Sequence, residues 1–351
     1  MSNLSDAKLN LIYEDKILND IQKNTINNNN LTKNSNKSLA LSESISLILY
    51  TVSVSFYGAG NFHMKYIQIK HPLEYDMFSF IFWRNIIFIS IVYLLIRYKN
   101  IEILDARKLQ KTSQIWLCIR TFGQFLAIIF TLSTLEKLRV GTANTFISMT
   151  PAAVILLCVF LLKERFHWRY PLGVVICFFG GILIISNEGK AHQSLSAVNN
   201  SEQIDSRSDT LIGVFWGVCN LFCIASLVIS TKALNNDKIN YENICFYVGG
   251  NNLICSIIVI VFIKMHFSFG FYFVLHSIFN ACMYFFATYF HVISLNGVDV
   301  LKTTSLGYVQ TVVGTFLGVL VLGENVYFSD FIGSLIIIGY NIYNALYPVK
   351  F

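Results

Sequence analysis

Beyond residue 41 the chain reads as ten long apolar runs separated by polar breaks: 43–62, 77–97, 113–133, 142–162, 168–186, 211–231, 243–264, 269–292, 303–323 and 328–347. About 20 apolar residues in a helix cross roughly 30 Å of hydrocarbon, so each run matches one membrane span. The short alternating segments of a membrane β-barrel are missing. The expected fold class is therefore all-α integral membrane, with ten transmembrane helices. A polar segment, 187–210, divides the runs five and five, and LLKERFHWRYPLGVVI around Glu164 recurs as VLGENVYFSDFIGSLI around Glu324. Glu164 and Glu324 lie 160 residues apart, as do Gly173 and Gly333. Five is odd, so the second copy enters the bilayer upside down. Two inverted five-helix repeats are predicted, 41–186 and 211–347, joined by the 187–210 loop and meeting near the midplane. Residues 1–40, polar and rich in Asn, bury too little apolar area to offset the entropy of ordering and are expected to be a disordered tail.

Composition agrees with this pattern: 54% of residues are hydrophobic and 13% charged, about half the charged share of a soluble domain. Cytoplasmic flanks of membrane spans are enriched in Lys and Arg. With the N-terminus inside, fourteen such residues flank the spans on the inner side, from Lys33 to Lys350, against seven on the outer side. Both termini are therefore expected in the cytoplasm. The net charge of +6 follows from that asymmetry and calls for no nucleic-acid partner. All eight cysteines fall inside the runs without metal-ligand spacing, so neither a metal nor a cofactor is expected. The links are too short for a soluble catalytic domain, and no hydrolase, Walker or Rossmann pattern stands in a plausible context, which argues against an enzyme.

Candidate chemistry lies in the polar residues within the runs. A charged side chain at membrane depth costs about 2.5–3.5 kcal/mol, so one that stands there faces a cavity or a partner. Arg84 lies near the middle of the second run; Arg120 lies in the third, with Gln124 one turn later on the same face. Two readings stay open for them, an anion-binding pair or arginines held by backbone carbonyls that lock the bundle. Polar stripes add Tyr57 and Asn61, with Ser46, Tyr50 and Ser53, in the first run, and Asn144 and Ser148 beside Pro151 in the fourth. Asn280 and Tyr284, with His291, form a stripe in the eighth, while Tyr308 and Gln310 mark the ninth and Asn220 the sixth. Such faces turn inward from lipid, either to line a cavity or to hydrogen-bond between helices. Pro151 should free the carbonyl of Ile147 and kink its helix. Glu164 and Glu324, at span ends just before the next helix, suit a helix N-terminus as caps. No Asp or Glu remains at membrane depth, which disfavours a carboxylate proton relay.

One segment carries a family signature. At TLSTLEKLRVGTANTFISMTPAAVILLCVFLLKERFHWRYPLGVVICFFGGILII, residues 131–185, the chain resembles the EamA-type drug/metabolite transporter superfamily. The elements are the turn after the third run, Ser148, Thr150 and Pro151 in the fourth, the LLxER junction at Leu161–Arg165 and a glycine-bearing fifth run. Arg84 and Arg120 fall where members of that superfamily often carry arginine. The second half matches through VLGE at Leu320–Glu324 and the GSLIIIG of the tenth run, but Thr303–Thr311 lacks a proline equivalent to Pro151. The resemblance implies a ten-helix transporter with a central cavity bounded by helices one to four and six to nine. It also implies peripheral helices five and ten that often make homodimer contacts. The expected function is alternating-access transport of a small polar or anionic metabolite or drug, with membrane lipid and the substrate as its partners. The rival reading is a membrane scaffold or receptor that keeps the fold without transporting.

Overall fold

A computed structural model of the chain describes residues 43–72, 75–162, 169–185, 206–263, 270–296, 298 and 300–346. The expected disordered tail, Glu164 and most of the polar loop lie outside them. The first half holds α1 (Glu43–Lys70), α2 (Met77–Tyr98), α3 (Lys111–Lys137), α4 (Val140–Ser148), α5 (Thr150–Leu162) and α6 (Arg169–Ile185). The second holds α7 (Ser206–Asn236), α8 (Tyr241–Ile263), α9 (Phe271–Ser294), α10 (Val300–Thr304), α11 (Tyr308–Leu317) and α12 (Phe328–Leu346). Among the described residues there is no strand, and eight spans are long and apolar enough to cross a membrane. One of the eight joins α4 to α5 and another contains α11. The two runs outside that set are α6, with 17 residues, and α12, which is apolar over Phe328–Tyr340.

Local chemistry sets the helix ends. Asp76 opens α2 by accepting a 2.7 Å hydrogen bond from Ser79 N. Gly323, in the left-handed region at φ 67°, closes the ninth span, and Glu324 N then donates back to Gly318 O at 3.2 Å. In the fourth span Pro151 cannot donate, and α4 stops at Ser148 before α5 restarts at Thr150. The Ile147 carbonyl accepts a short hydrogen bond from Thr150 Oγ1, so the break leaves that group satisfied. The ninth span breaks as well, in a 3-10 turn at Ser305–Gly307, although it has no proline.

The helices pack in a pattern that the two halves share. α3 lies along α7 and, in matching fashion, α9 lies along α1; α2 packs on α8, α4 on α11 and α6 on α12. Each pairing runs antiparallel. Along α1 and α9, for example, Tyr50 meets His291, Ser53 Oγ donates to Ala287 O at 2.6 Å, Asn280 Nδ2 donates to Gly60 O at 3.1 Å, and His63 meets His276. Opposed directions in every mated pair are what an inverted repeat produces. A second shared device is a lysine reaching from the first helix of each half to the C-terminus of the third. Lys65 Nζ donates to Leu135 O, and Lys232 Nζ donates to Leu295 O at 2.9 Å and Val298 O at 3.0 Å. A cation there satisfies terminal carbonyls and complements the helix dipole.

The sorting of residues is that of a membrane bundle. Phe262, Phe271 and Phe328 are 80%, 77% and 78% exposed on the outside, while Arg84 and Arg120 are each 1% exposed within. The described cysteines are free thiols. The mated pair α6 and α12 touches backbone to backbone. A Cβ on Gly333 would stand 2.5 Å from Gly180 O, and one on Gly180 would stand 2.9 Å from Gly333 O. Gly333→Ala should therefore lower stability by about 1–3 kcal/mol through overpacking. Gly339→Ala, with no neighbour within 4 Å, should be neutral; thermal unfolding of the two variants in detergent measures the difference.

Candidate functional site

Between the halves lies a cavity of about 90 Å³, bounded by residues of α1, α2, α3, α7, α9 and the breaks in the fourth and ninth spans. Ile147 and Thr150 from the first break and Gly307 from the second all line it, so both helices interrupt their backbone ladders at the cavity wall. Irregular backbone at membrane depth is tolerated where it borders such a space.

Two buried cations dominate the wall. The Arg84 guanidinium stacks over the Tyr284 ring, 4.4 Å from its centroid, and its Nη1 approaches Met64 Sδ at 4.0 Å. Its Nε and Nη2 have no hydrogen-bond partner. Arg120 Nη1 donates to Gln124 Oε1 at 2.5 Å, while Arg120 Nε is also unpartnered. Among the described residues that line the cavity there is no Asp or Glu. The remaining polar wall is Tyr50, Tyr57, Tyr284 and His291 with Asn61, Gln310, Thr131 and Thr150. Tyr57 Oη is 3.0 Å from Thr288 Oγ1, and the Tyr57 ring meets those of Tyr284 and His291 edge to face. Two guanidiniums with unused donors in a buried pocket make a site electrically complementary to an anion.

Comparison with known proteins places the fold. A solved crystal structure with 13% sequence identity covers 88% of this chain and 100% of its own, at a TM-score of 0.61. An uncharacterized protein of Methanocaldococcus jannaschii is 31% identical over 145 residues, 40% of this chain and 97% of that protein, which is thus about the size of one five-helix half. The model of the EamA-like transporter family matches residues 44–186. The chain belongs to that family. It is accordingly a multi-pass protein of a membrane transporter family.

In this EamA-like transporter the predicted polar residues separate into groups. Arg84, Arg120, Gln124, Tyr57, Asn61, Tyr284 and Gln310 surround the central cavity. Ser148 and Tyr308 line a different space instead, a lateral cavity of about 330 Å³ under α12. Asn144 lies outside both linings and acts as a knot. Its Oδ1 accepts from Asn61 Nδ2 at 2.7 Å and Gln310 Nε2 at 3.3 Å, and its backbone O accepts from Thr311 Oγ1 at 2.9 Å. Asn280 spends its amide on Gly60 O, and Asn220, 1% exposed, borders neither cavity.

Glu324 caps α4, a helix of the opposite half. Its Oε1 accepts from Val140 N at 3.1 Å, at the start of α4 in the opposite half. Sequence spacing shows the Glu beside the next helix and cannot show that the ninth span ends against the beginning of the fourth.

Ion pairs close the bundle at both ends. On one side Lys99 Nζ reaches Glu242 Oε1 at 2.7 Å and Tyr289 Oη at 2.9 Å, tying α2 to α8 and α9. Burial works against the Lys99 charge, but its hydrogen bonds to Glu242 and Tyr289 outweigh this and hold the ammonium above its ordinary range. At the other end Arg139 pairs with Asp330 at 2.9 Å and Lys137 with Asp209 at 3.0 Å. Glu242 and Tyr289 were missed in the sequence because each stands near a span end, where polar residues are unremarkable.

If Asn144 is a joint rather than a cargo contact, Asn144→Ala strands the amides of Asn61 and Gln310. It should then cost about 1–3 kcal/mol of stability without changing which solutes are bound. Melting temperature and ligand selectivity, measured on the same preparation, separate the two roles.

Proposed function

We propose that this protein carries a small polar or anionic metabolite across a membrane by alternating access, with the two five-helix halves rocking about the central cavity. The observation that carries this reading is the pair of buried guanidiniums, Arg84 and Arg120, whose Nε atoms have no partner and whose cavity offers no carboxylate among the described residues. Buried cations are expensive, and a site that keeps two of them uncompensated gains most when an anion enters. The end clusters fit the same reading. Lys99–Glu242 and Arg139–Asp330 join elements across the bundle at opposite ends, and opening toward either side would have to release one of them. In this reading the termini are cytoplasmic and the 187–210 loop faces the other side, as the Lys and Arg asymmetry favours. The outward faces of α6 and α12 are the surfaces for a homodimer within the lipid. Tags placed at the two ends should share the same protease protection in sealed vesicles; termini on opposite faces would overturn the orientation.

Purified protein in proteoliposomes should take up anionic metabolites in preference to amines or neutral solutes. Arg120→Gln and Arg84→Gln should each lower uptake of a doubly charged substrate by roughly tenfold or more, the loss of one close charge interaction, while expression and melting temperature stay near those of the parent protein. Unchanged uptake in both variants would show that the arginines do not meet cargo.

A further inference from the structure

We infer that the cargo is a compact dianion and that the protein works as an exchanger, returning only when it carries one dianion for another. This deepens the transport reading above and rests on it.

Both guanidiniums keep donors free at the cavity. In a guanidinium, Nε–H and Nη2–H point the same way along one edge, and that edge matches the two oxygens of a carboxylate or phosphate. In Arg84 these are the two nitrogens without a partner, while Nη1 lies toward Met64 and the flat face is taken by Tyr284. Arg84 therefore presents an unoccupied fork for one oxyanion group. Arg120 Nη1 is bound by Gln124, which leaves its Nε and Nη2 edge free as well. It offers a second positive charge and a second set of donors. A ligand that satisfies both carries one forked oxyanion and a second negative charge close by. The cavity, about 90 Å³, keeps that ligand small. A dicarboxylate and a phosphate share this chemistry.

The coupling follows from the charge count. The described lining holds two guanidiniums and no carboxylate, so a dianion brings the cavity to neutrality and a monoanion does not. Reorientation requires both end clusters to be closed together at some point, with the cavity cut off from water. An empty cavity would pass through that stage with two uncompensated charges in a low-dielectric interior, and a dianion-loaded one with none. The loaded carrier therefore crosses and the empty one stalls.

The full chain, reconstituted in vesicles loaded with succinate, inorganic phosphate, acetate or buffer alone, tests this with labelled succinate and labelled phosphate outside. Uptake should be roughly tenfold faster or more into vesicles holding a dianion than into acetate-loaded or empty ones. Which of the two labels enters tells a carboxylate cargo from a phosphate cargo. Arg120→Gln should let acetate drive exchange as well as succinate does, because Arg84 still holds one carboxylate. Arg120→Lys, which keeps the charge, should retain the preference for dianions, and this distinguishes a lost charge from a misfolded variant. Equal uptake into empty vesicles overturns exchange, and equal service by acetate in the parent protein overturns the double charge; in both cases anion transport itself stands. If amines or neutral solutes are carried and anions are not, or if neither succinate nor phosphate is carried or raises the melting temperature, the inference and the transport reading beneath it both fall.

Discussion

The structure depends on one crossing, where α4 passes α11 and Asn144 binds side chains from two other helices. In hydrocarbon a backbone carbonyl cannot be left to water, and the fourth and ninth spans both interrupt their ladders beside the cavity. Two broken helices facing each other need something to fix their register. The Asn144 knot provides it, with Asn61, Gln310 and Thr311 converging on one residue. Gly314 makes the approach possible, since a Cβ there would collide with the Asn144 amide. Asn61 and Gln310 turn their other surfaces to the cavity, so the knot also sets the shape of the site.

Much of this is legible in the amino-acid sequence. Length and hydropathy carry the spans, because the bilayer imposes a fixed thickness on every crossing. The odd number of runs per half carries the inversion. Arg84 and Arg120 stood out because a charge at membrane depth needs a reason. What helical stripes cannot show is how a polar side chain is satisfied once it faces inward. Asn144 and Asn280 share their stripes with true cavity residues, yet both spend their hydrogen bonds on other helices. Ser148 and Tyr308 face inward from lipid toward another space altogether. The ninth-span break was hidden for a different reason: Pro151 announces its kink, whereas the 3-10 turn at Ser305–Gly307 has no proline to announce it. Lys65 and Lys232 looked like flanking charges, and their role at the ends of α3 and α9 needs the helices in place.

Charge is distributed with a clear division. At the bundle ends three cations have a carboxylate within reach, Lys99 with Glu242, Lys137 with Asp209 and Arg139 with Asp330. In the middle the cations have aromatic rings, an amide and a thioether, which moderate a charge without cancelling it. The pairs at the ends lie where water shares in solvating them, whereas Arg84 and Arg120 are each 1% exposed.

The contact between Gly180 and Gly333 has a mechanical consequence. Most helix pairs are separated by interlocking side chains, which resist rotation and sliding alike. At this point two backbones touch directly, with Ile184 and Ile337 on either side as flanges. A methyl group at either glycine would force the two helices apart. Since α6 belongs to one half and α12 to the other, the seam between the halves has no side-chain layer at this point, and its spacing is set by two glycines.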